Sequence, residues 1–293
     1  MSEKVVVGTR GSKLALAQTN KVVERLRDQY EVEIRIIKTK GDIMKDKPLY
    51  AFKGSGAFVR AIDEALANSE IDIAVHSLKD VPVERVEGTV ISAYLERESP
   101  YDAFISKDGS RLEEMEYGAV IGTSSLRRAA QLRRFREDLV IKNIRGNLDT
   151  RLRKLGDGYD GIIVAEAGLI RLSLDIDYQR LDSESFIPSA NQGIIAVATR
   201  EGEESLVSFM NHENTMLSAI AEREVLKVLG IGCTVPAGIL AETDGSSMKV
   251  TCEILEPDGK EVLKMSEEFS FDGLKEVIKK ARKFAEAVKD GYG

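Results

Sequence analysis

Apolar residues in this chain occur in short runs whose period switches between strand-like and helical, with polar, glycine-bearing turns between them. Val5-Val6-Val7 before Gly8 is continuous and apolar, the pattern of a short buried strand. After the turn Gly8-Thr9-Arg10-Gly11-Ser12, Leu14, Val22 and Leu26 share one helical face. They predict a helix over 13–28 with Ser12 as its N-cap. Residues 32–38 alternate as a second strand, 39–56 are polar with no clear period, 57–68 predict a helix and 71–76 a strand. The same order then returns: strand 119–122, helix 126–135, strand 139–144, helix 148–155, strand 161–165.

The return is local as well as general. Val7-Gly8-Thr9 answers Ile121-Gly122-Thr123, and Ile71-Asp72-Ile73-Ala74-Val75 answers Tyr159-Asp160-Gly161-Ile162-Ile163-Val164. Two lobes of β-loop-helix units around parallel sheets are therefore expected. Open sheets of this kind bind ligands beyond the carboxyl ends of their strands. The segments holding Arg10, Asp80, Ser125, Arg127 and Arg145 fall at such ends, and two facing lobes would form a cleft. The stretch 39–56 belongs to the first repeat alone and reads as a candidate flap. Beyond it, the strand 194–198 is expected to return to the first lobe. A helix over 215–229, strands near 237–241, 249–255 and 262–271, and a helix near 273–289 make a small α+β domain.

Charge changes this picture from a plain α/β protein to one with an anion site. The chain carries −7 overall, yet residues 121–171 hold eleven Lys or Arg against six Asp or Glu, a local balance of +5. Planar guanidiniums grip carboxylates and phosphates bidentately, so a polyanion is the expected ligand. The overall negative charge argues against general nucleic-acid binding, and few aromatics accompany the arginines to stack bases. No apolar run reaches the roughly 18 residues of a membrane span. With no signal-peptide pattern at the start, the cytoplasm is the expected compartment. Two histidines and two cysteines, none at metal spacing, predict neither a zinc site nor a disulfide framework.

The candidate chemistry lies in four places. Ala74 to Pro82 ends a strand in His76-Ser77-Leu78-Lys79-Asp80, where strand-end neighbours point apart and a hydrolase triad is not expected. Asp80 is open to two readings: a turn cap before Pro82, or an ionised group that stabilises a positively charged intermediate. Arg127 and Arg128 sit on a helix's first turn and cannot share one face, so at least one should reach the cleft. Arg133, Arg134 and Arg136 read as a solvated face, and the plain alternative for any of these arginines is a surface ion pair. Cys252 alternates with apolar residues and reads as an inert core thiol. Cys233, between Gly232 and Val235-Pro236, is a loop thiol that is either nucleophilic or idle.

Taken together, these segments closely resemble the porphobilinogen deaminase (hydroxymethylbilane synthase) family over nearly the whole chain. The markers are Gly8 to Ser12 with Leu14-Ala15-Leu16-Ala17-Gln18, Ala74 to Pro82, Gly122 to Arg128, and Arg145-Gly146-Asn147 with Thr150-Arg151-Leu152. Ala167-Gly168-Leu169 with Arg171, Gln192-Gly193, and Gly232-Cys233 with Val235-Pro236 complete them. The resemblance implies an α/β fold: two doubly wound lobes like those of type II periplasmic binding proteins, plus a small C-terminal α+β domain. The corresponding boundaries are 1–96 with 194–214, 97–193, and 215–293. It implies a dipyrromethane cofactor linked by a thioether to Cys233, and Asp80 as the catalytic group that hydrogen-bonds pyrrole N–H and stabilises its positive charge. Arg10, Arg127, Arg128, Arg145, Arg151 and Arg171 match the carboxylate-binding arginines, and Ser12, Lys79 and Ser125 match other binding positions. The implied partners are porphobilinogen and the growing polypyrrole, handled by a monomer without metal, nucleic acid or membrane. Four additions with loss of ammonia, then hydrolytic release of linear hydroxymethylbilane, are the implied reaction. One departure concerns the flap, where Ser55 stands in Lys53-Gly54-Ser55-Gly56 at a position that many members fill with lysine. Lys53 or Ser55 is the flap contact expected here. A reversible, non-catalytic anion-binding module is the competing reading, which gives Cys233 no role.

Overall fold

A computed structural model describes residues 3–38, 56, 59–232 and 234–292. It divides into two compact units, residues 1–98 with 193–216, and residues 99–192 with 217–293.

The first unit is built on β1 (Glu3–Thr9), α1 (Lys13–Leu26), β2 (Tyr30–Ile36), α2 (Arg60–Ala67), β3 (Ile73–Ser77) and β4 (Thr89–Tyr94). The second begins with β5 (Asp102–Ser106), β6 (Val120–Gly122), α3 (Leu126–Phe135) and β7 (Val140–Lys142). It continues through α4 (Leu148–Leu152), β8 (Gly161–Ala165), α5 (Glu166–Arg171) and β9 (Gln179–Arg180). The chain then returns to the first unit through β10 (Ile195–Arg200), as its sequence predicts, and crosses again along α6 (Glu213–Leu229). It ends in β11 (Ala237–Thr243), β12 (Ser247–Leu255), β13 (Glu261–Ser270) and α7 (Leu274–Tyr292).

The two large sheets repeat one design. Their strand orders are β2-β1-β3-β10-β4 and β7-β6-β8-β5-β9. The sheets are mixed rather than parallel: β10 runs antiparallel to β3, and β5 antiparallel to β8. The parallel expectation failed because these two strands do not come from β-helix-β crossovers, which are the connections that keep neighbouring strands parallel. Equivalent positions make equivalent bonds. Asp72 accepts from the Val6 N–H at 2.9 Å and Asp160 from the Val120 N–H at 2.8 Å. Each aspartate also holds a cation at the end of its antiparallel neighbour, Arg200 at 3.0 Å and Lys107 at 2.6 Å. A Cβ on Gly8 would stand 2.2 Å from Ile71, and one on Gly122 2.9 Å from Tyr159, so both strands need glycine for the same close approach.

Both sheets are covered on two faces. In the first unit Val5, Val7, Ile73, Val75 and Val197 pack with Val22, Val23 and Leu26 of α1, while Ala74 and Ala198 pack with Ile62 and Leu66 of α2. In the second, Phe104, Ile121 and Ile163 pack with Leu132 of α3, while Ala103, Ile105, Ile162 and Val164 meet Leu169 of α5. Each large side chain so buried stabilises by about 1.5–3 kcal/mol. The C-terminal sheet β11-β12-β13 is antiparallel, and the spacing of Val277, Ala281, Phe284, Ala285 and Val288 gives α7 one buried stripe. Among the described residues no helix is long and apolar enough to cross a membrane.

Candidate active site

Neighbouring parallel strands end at the same sheet edge, so the loops that follow them are neighbours too. In the first unit β1 and β3 pair in parallel, Gly8 opposite Ala74. The segments after them carry Arg10, Ser12, Lys79 and Asp80. Ser12 caps α1, its Oγ accepting from the Ala15 N–H at 3.2 Å. Arg10 is half-buried. Leu78–Asp80 form one 3-10 turn. Leu78 is buried and its N–H donates to the Ile194 carbonyl at 3.0 Å, whereas Lys79 and Asp80 are exposed. No triad forms beside them. His76 Nε2 is bound to Asp63 Oδ1 at 2.8 Å, and Ser77 Oγ pairs with the Gln18 amide at 2.8 and 3.0 Å.

In the second unit β6 and β7 pair in parallel, Gly122 opposite Lys142, and send out the segments with Ser125, Arg127, Arg128, Arg145 and Arg151. Ser125 caps α3, accepting from the Arg128 N–H at 3.4 Å. Arg127 and Arg128 then turn inward and are 5% and 7% exposed, too buried for surface ion pairs. Adjacent helical positions are expected to diverge, yet both guanidiniums reach one carboxylate, because the long side chains can wrap to a common point. Arg127 Nη2 lies 2.9 Å from Asp102 Oδ2, and Arg128 Nη2 donates to Asp102 Oδ1 at 2.7 Å. Gln192 Nε2 donates to the same carboxylate at 2.8 Å.

Burial alone would raise the Asp102 carboxyl, but the charges of Arg127 and Arg128 and the bonds from Arg128 and Gln192 hold it well below the usual range. Burial also pulls Arg127 down, opposed by Asp102 and reinforced by the like charge of Arg128. Two buried cations thus share one buried anion. Among the described residues the Nε–H of Arg127 and that of Arg128, both buried, have no hydrogen-bond partner. Arg151 joins the same cationic neighbourhood. Burial, then repulsion from Arg128 and Arg145, push its guanidinium down to about 10. Its Nε donates to the Gly146 carbonyl at 2.9 Å. The second unit therefore brings Arg127, Arg128, Arg145 and Arg151 within electrostatic reach of one another. Arg171, half-buried, closes α5. Lys53, Ser55 and Cys233 lie outside the described residues.

Two parts of this site escaped the sequence reading. Asp102 opens a short strand that was not foreseen, and its partners are 25 or more positions away. Arg133, Arg134 and Arg136 do not form a solvated face. Arg134 pairs with Glu253, Gln131 Nε2 donates to Glu253 at 2.9 Å, and Arg133 donates to the Pro257 carbonyl at 2.7 Å. These contacts fasten the C-terminal sheet to α3. Arg136 pairs with Asp138 and donates to the Met115 carbonyl at 2.6 Å. Cys252 is fully buried, and burial with the neighbouring Glu253 charge pushes its thiol up to about 12.

Residues 5–208 match the family model for "Porphobilinogen deaminase, dipyromethane cofactor binding domain", and residues 216–289 match "Porphobilinogen deaminase, C-terminal domain". A probable porphobilinogen deaminase of Archaeoglobus fulgidus is 63% identical, covering 92% of this chain and 93% of that one. The probable porphobilinogen deaminase of Methanocella arvoryzae is 49% identical over 93% and 91% of the two chains. The porphobilinogen deaminase of Thermus thermophilus is 47% identical over 89% and 88%. By both domain matches and by identity along nearly its full length, the chain belongs to the porphobilinogen deaminase family.

Proposed function

We propose that this transferase is a hydroxymethylbilane synthase that joins four porphobilinogen units head to tail on a dipyrromethane primer held by Cys233. It then releases the linear product. The observation that supports this reading most is the concentration of guanidiniums in the second unit, where burial and repulsion from Arg128 and Arg145 depress Arg151. A primer bearing acetate and propionate groups fits those donors, since carboxylates accept from guanidinium N–H in pairs. When bound, the primer supplies a nucleophilic pyrrole carbon on which the chain can grow.

The residues divide the work. Arg127, Arg128, Arg145 and Arg151 hold carboxylates of the primer and of the added units, and Arg10 and Arg171 do the same. Ser12, Lys79 and Ser125 contribute further polar contacts from strand ends and helix N-termini. Asp80, exposed at the carboxyl end of β3, accepts hydrogen bonds from pyrrole N–H. It stabilises the positive charge that develops as porphobilinogen loses its amine as ammonia. Over a full cycle four porphobilinogens and one water give one hydroxymethylbilane and four ammonias. The substrate is small, diffusible and anionic, which suits a monomer acting in the cytoplasm.

The test is direct. Purified protein should react with Ehrlich's reagent to give a pyrrole colour, and the proteolytic peptide containing Cys233 should carry the mass of a dipyrromethane adduct. Active protein with an unmodified Cys233 peptide would refute the assignment.

A further inference from the structure

The segment that carries Asp80 runs from the end of β3 to the start of β4, residues 78–88. Asp80 is exposed, so burial does not hold its carboxylate in place. The explanation lies beneath it, in a buried network that the proposed chemistry does not use. Asp63, on α2, is 1% exposed. Its Oδ1 is bound by His76 Nε2 at 2.8 Å and by Arg85 Nη2 at 2.9 Å. His76 is the β3 residue two positions before the Leu78–Asp80 turn, and Arg85 lies near the far end of the same segment. One buried carboxylate thus grips both ends of the loop.

We propose that Asp63 is a positioning residue for the reaction: by binding His76 and Arg85 together it clamps the two ends of the 78–88 segment and holds Asp80 where pyrrole N–H groups arrive. This inference rests on the role proposed for Asp80.

The local chain favours a clamp over a simple stabilising pair. Between the two anchors the backbone is tied at its first turn, where the Val81 N–H donates to the Leu78 carbonyl at 3.0 Å. Beyond Arg85, the Thr89 hydroxyl donates to the Val86 carbonyl at 2.7 Å and lies 3.5 Å from Arg85 Nε and Nη2. The Arg85 side chain is 10% exposed, so a cation from a loop has been drawn inside to reach an anion on a helix. Burying a pair in this way gains little stability over well-packed apolar residues. It does give the loop a single seat. A reacting carboxylate needs that, because small misplacements are costly to catalysis.

The experiment separates seating from stability. Arg85→Ala removes the loop's own anchor, and the double variant Asp63→Asn/Arg85→Ala removes both buried charges, so no unpaired ion is left to unfold the protein. Thermal unfolding, kcat and KM for porphobilinogen, and amide hydrogen exchange over 78–84 are measured for the parent and both variants. The double variant should unfold near the parental temperature. Its kcat should nevertheless fall by about tenfold to a hundredfold with KM little changed, and exchange over 78–84 should quicken while β1 and β3 stay protected. Parental kcat and parental exchange in the double variant would overturn the clamp. The exchange measurement reports on the clamp even if the parent converts no porphobilinogen. That result would instead count against the proposed function.

Discussion

Replacing Asp102 by asparagine should be among the most destabilising single changes in the second unit. The carboxylate is 0% exposed and receives Arg127 at 2.9 Å, Arg128 at 2.7 Å and Gln192 at 2.8 Å. Asparagine keeps the shape and one acceptor oxygen but removes the charge, leaving two guanidiniums buried without the carboxylate they share, and only Arg127 with further help from the Glu253 charge. Breaking a buried pair from one side costs about 3–5 kcal/mol, a large share of the roughly 5–15 kcal/mol that holds a domain folded. The Lys107–Asp160 pair is the control, since Lys107→Met removes a solvent-screened contact that contributes little to stability. Urea unfolding of both variants, followed by circular dichroism, should show a large fall in midpoint for Asp102→Asn and almost none for Lys107→Met. The pH dependence has a defined sign. The folded-state carboxyl of Asp102 is depressed, so its contribution is complete above the ordinary value of 3.8 and is lost as pH falls below it. Asp102→Asn should therefore lose stability mainly above about pH 4 and show a flatter acid limb than the parent. A loss below about 1 kcal/mol at neutral pH would refute the reading of this cluster as a paired, desolvated site.

Other substitutions should separate chemistry from architecture. Asp80→Ala should leave the unfolding midpoint near parental, because the side chain is exposed, while abolishing most turnover of porphobilinogen. Near-normal turnover would remove the role assigned to it. Cys252 should resist thiol reagents in the folded protein, since its thiol is buried and pushed up to about 12, and Cys252→Ser should lower stability by about 1–3 kcal/mol without preventing pyrrole attachment. Glu253→Gln should weaken the seating of the C-terminal sheet on α3 by removing the charge that Arg134 pairs with; faster proteolysis between residues 230 and 260 would report it, and parental resistance would count against it.

How much of this was legible in the sequence depended on the range of the signal. The helix over 126–135 and the strand over 161–165 have the bounds that the sequence predicts, because polar residues bracket each: Thr123-Ser124-Ser125 before the helix, and Asp160 and Glu166 around the strand. The repeat was legible because Asp72 and Asp160 sit at the start of matching strands, where each caps the same backbone N–H. The strand Asp102–Ser106 was not foreseen, since it belongs to no β-loop-helix repeat and a short apolar run alone is ambiguous. The destinations of Arg127, Arg128 and Arg134 were hidden for another reason. Their partners Asp102 and Glu253 are 25 to 119 positions away, and local spacing says nothing of which carboxylate a long side chain will reach. The surplus of arginine over residues 121–171 does include Arg127 and Arg128, which are buried.

The proposal that a sulfur-anchored pyrrole chain grows on this protein is tested most directly by the mass of the intact, purified polypeptide before and after a brief incubation with porphobilinogen. The account predicts a starting mass above that of the bare sequence by one dipyrromethane, absent from Cys233→Ala, and then a ladder of single pyrrole increments. A bare starting mass with no ladder, in protein that still forms hydroxymethylbilane, would contradict it.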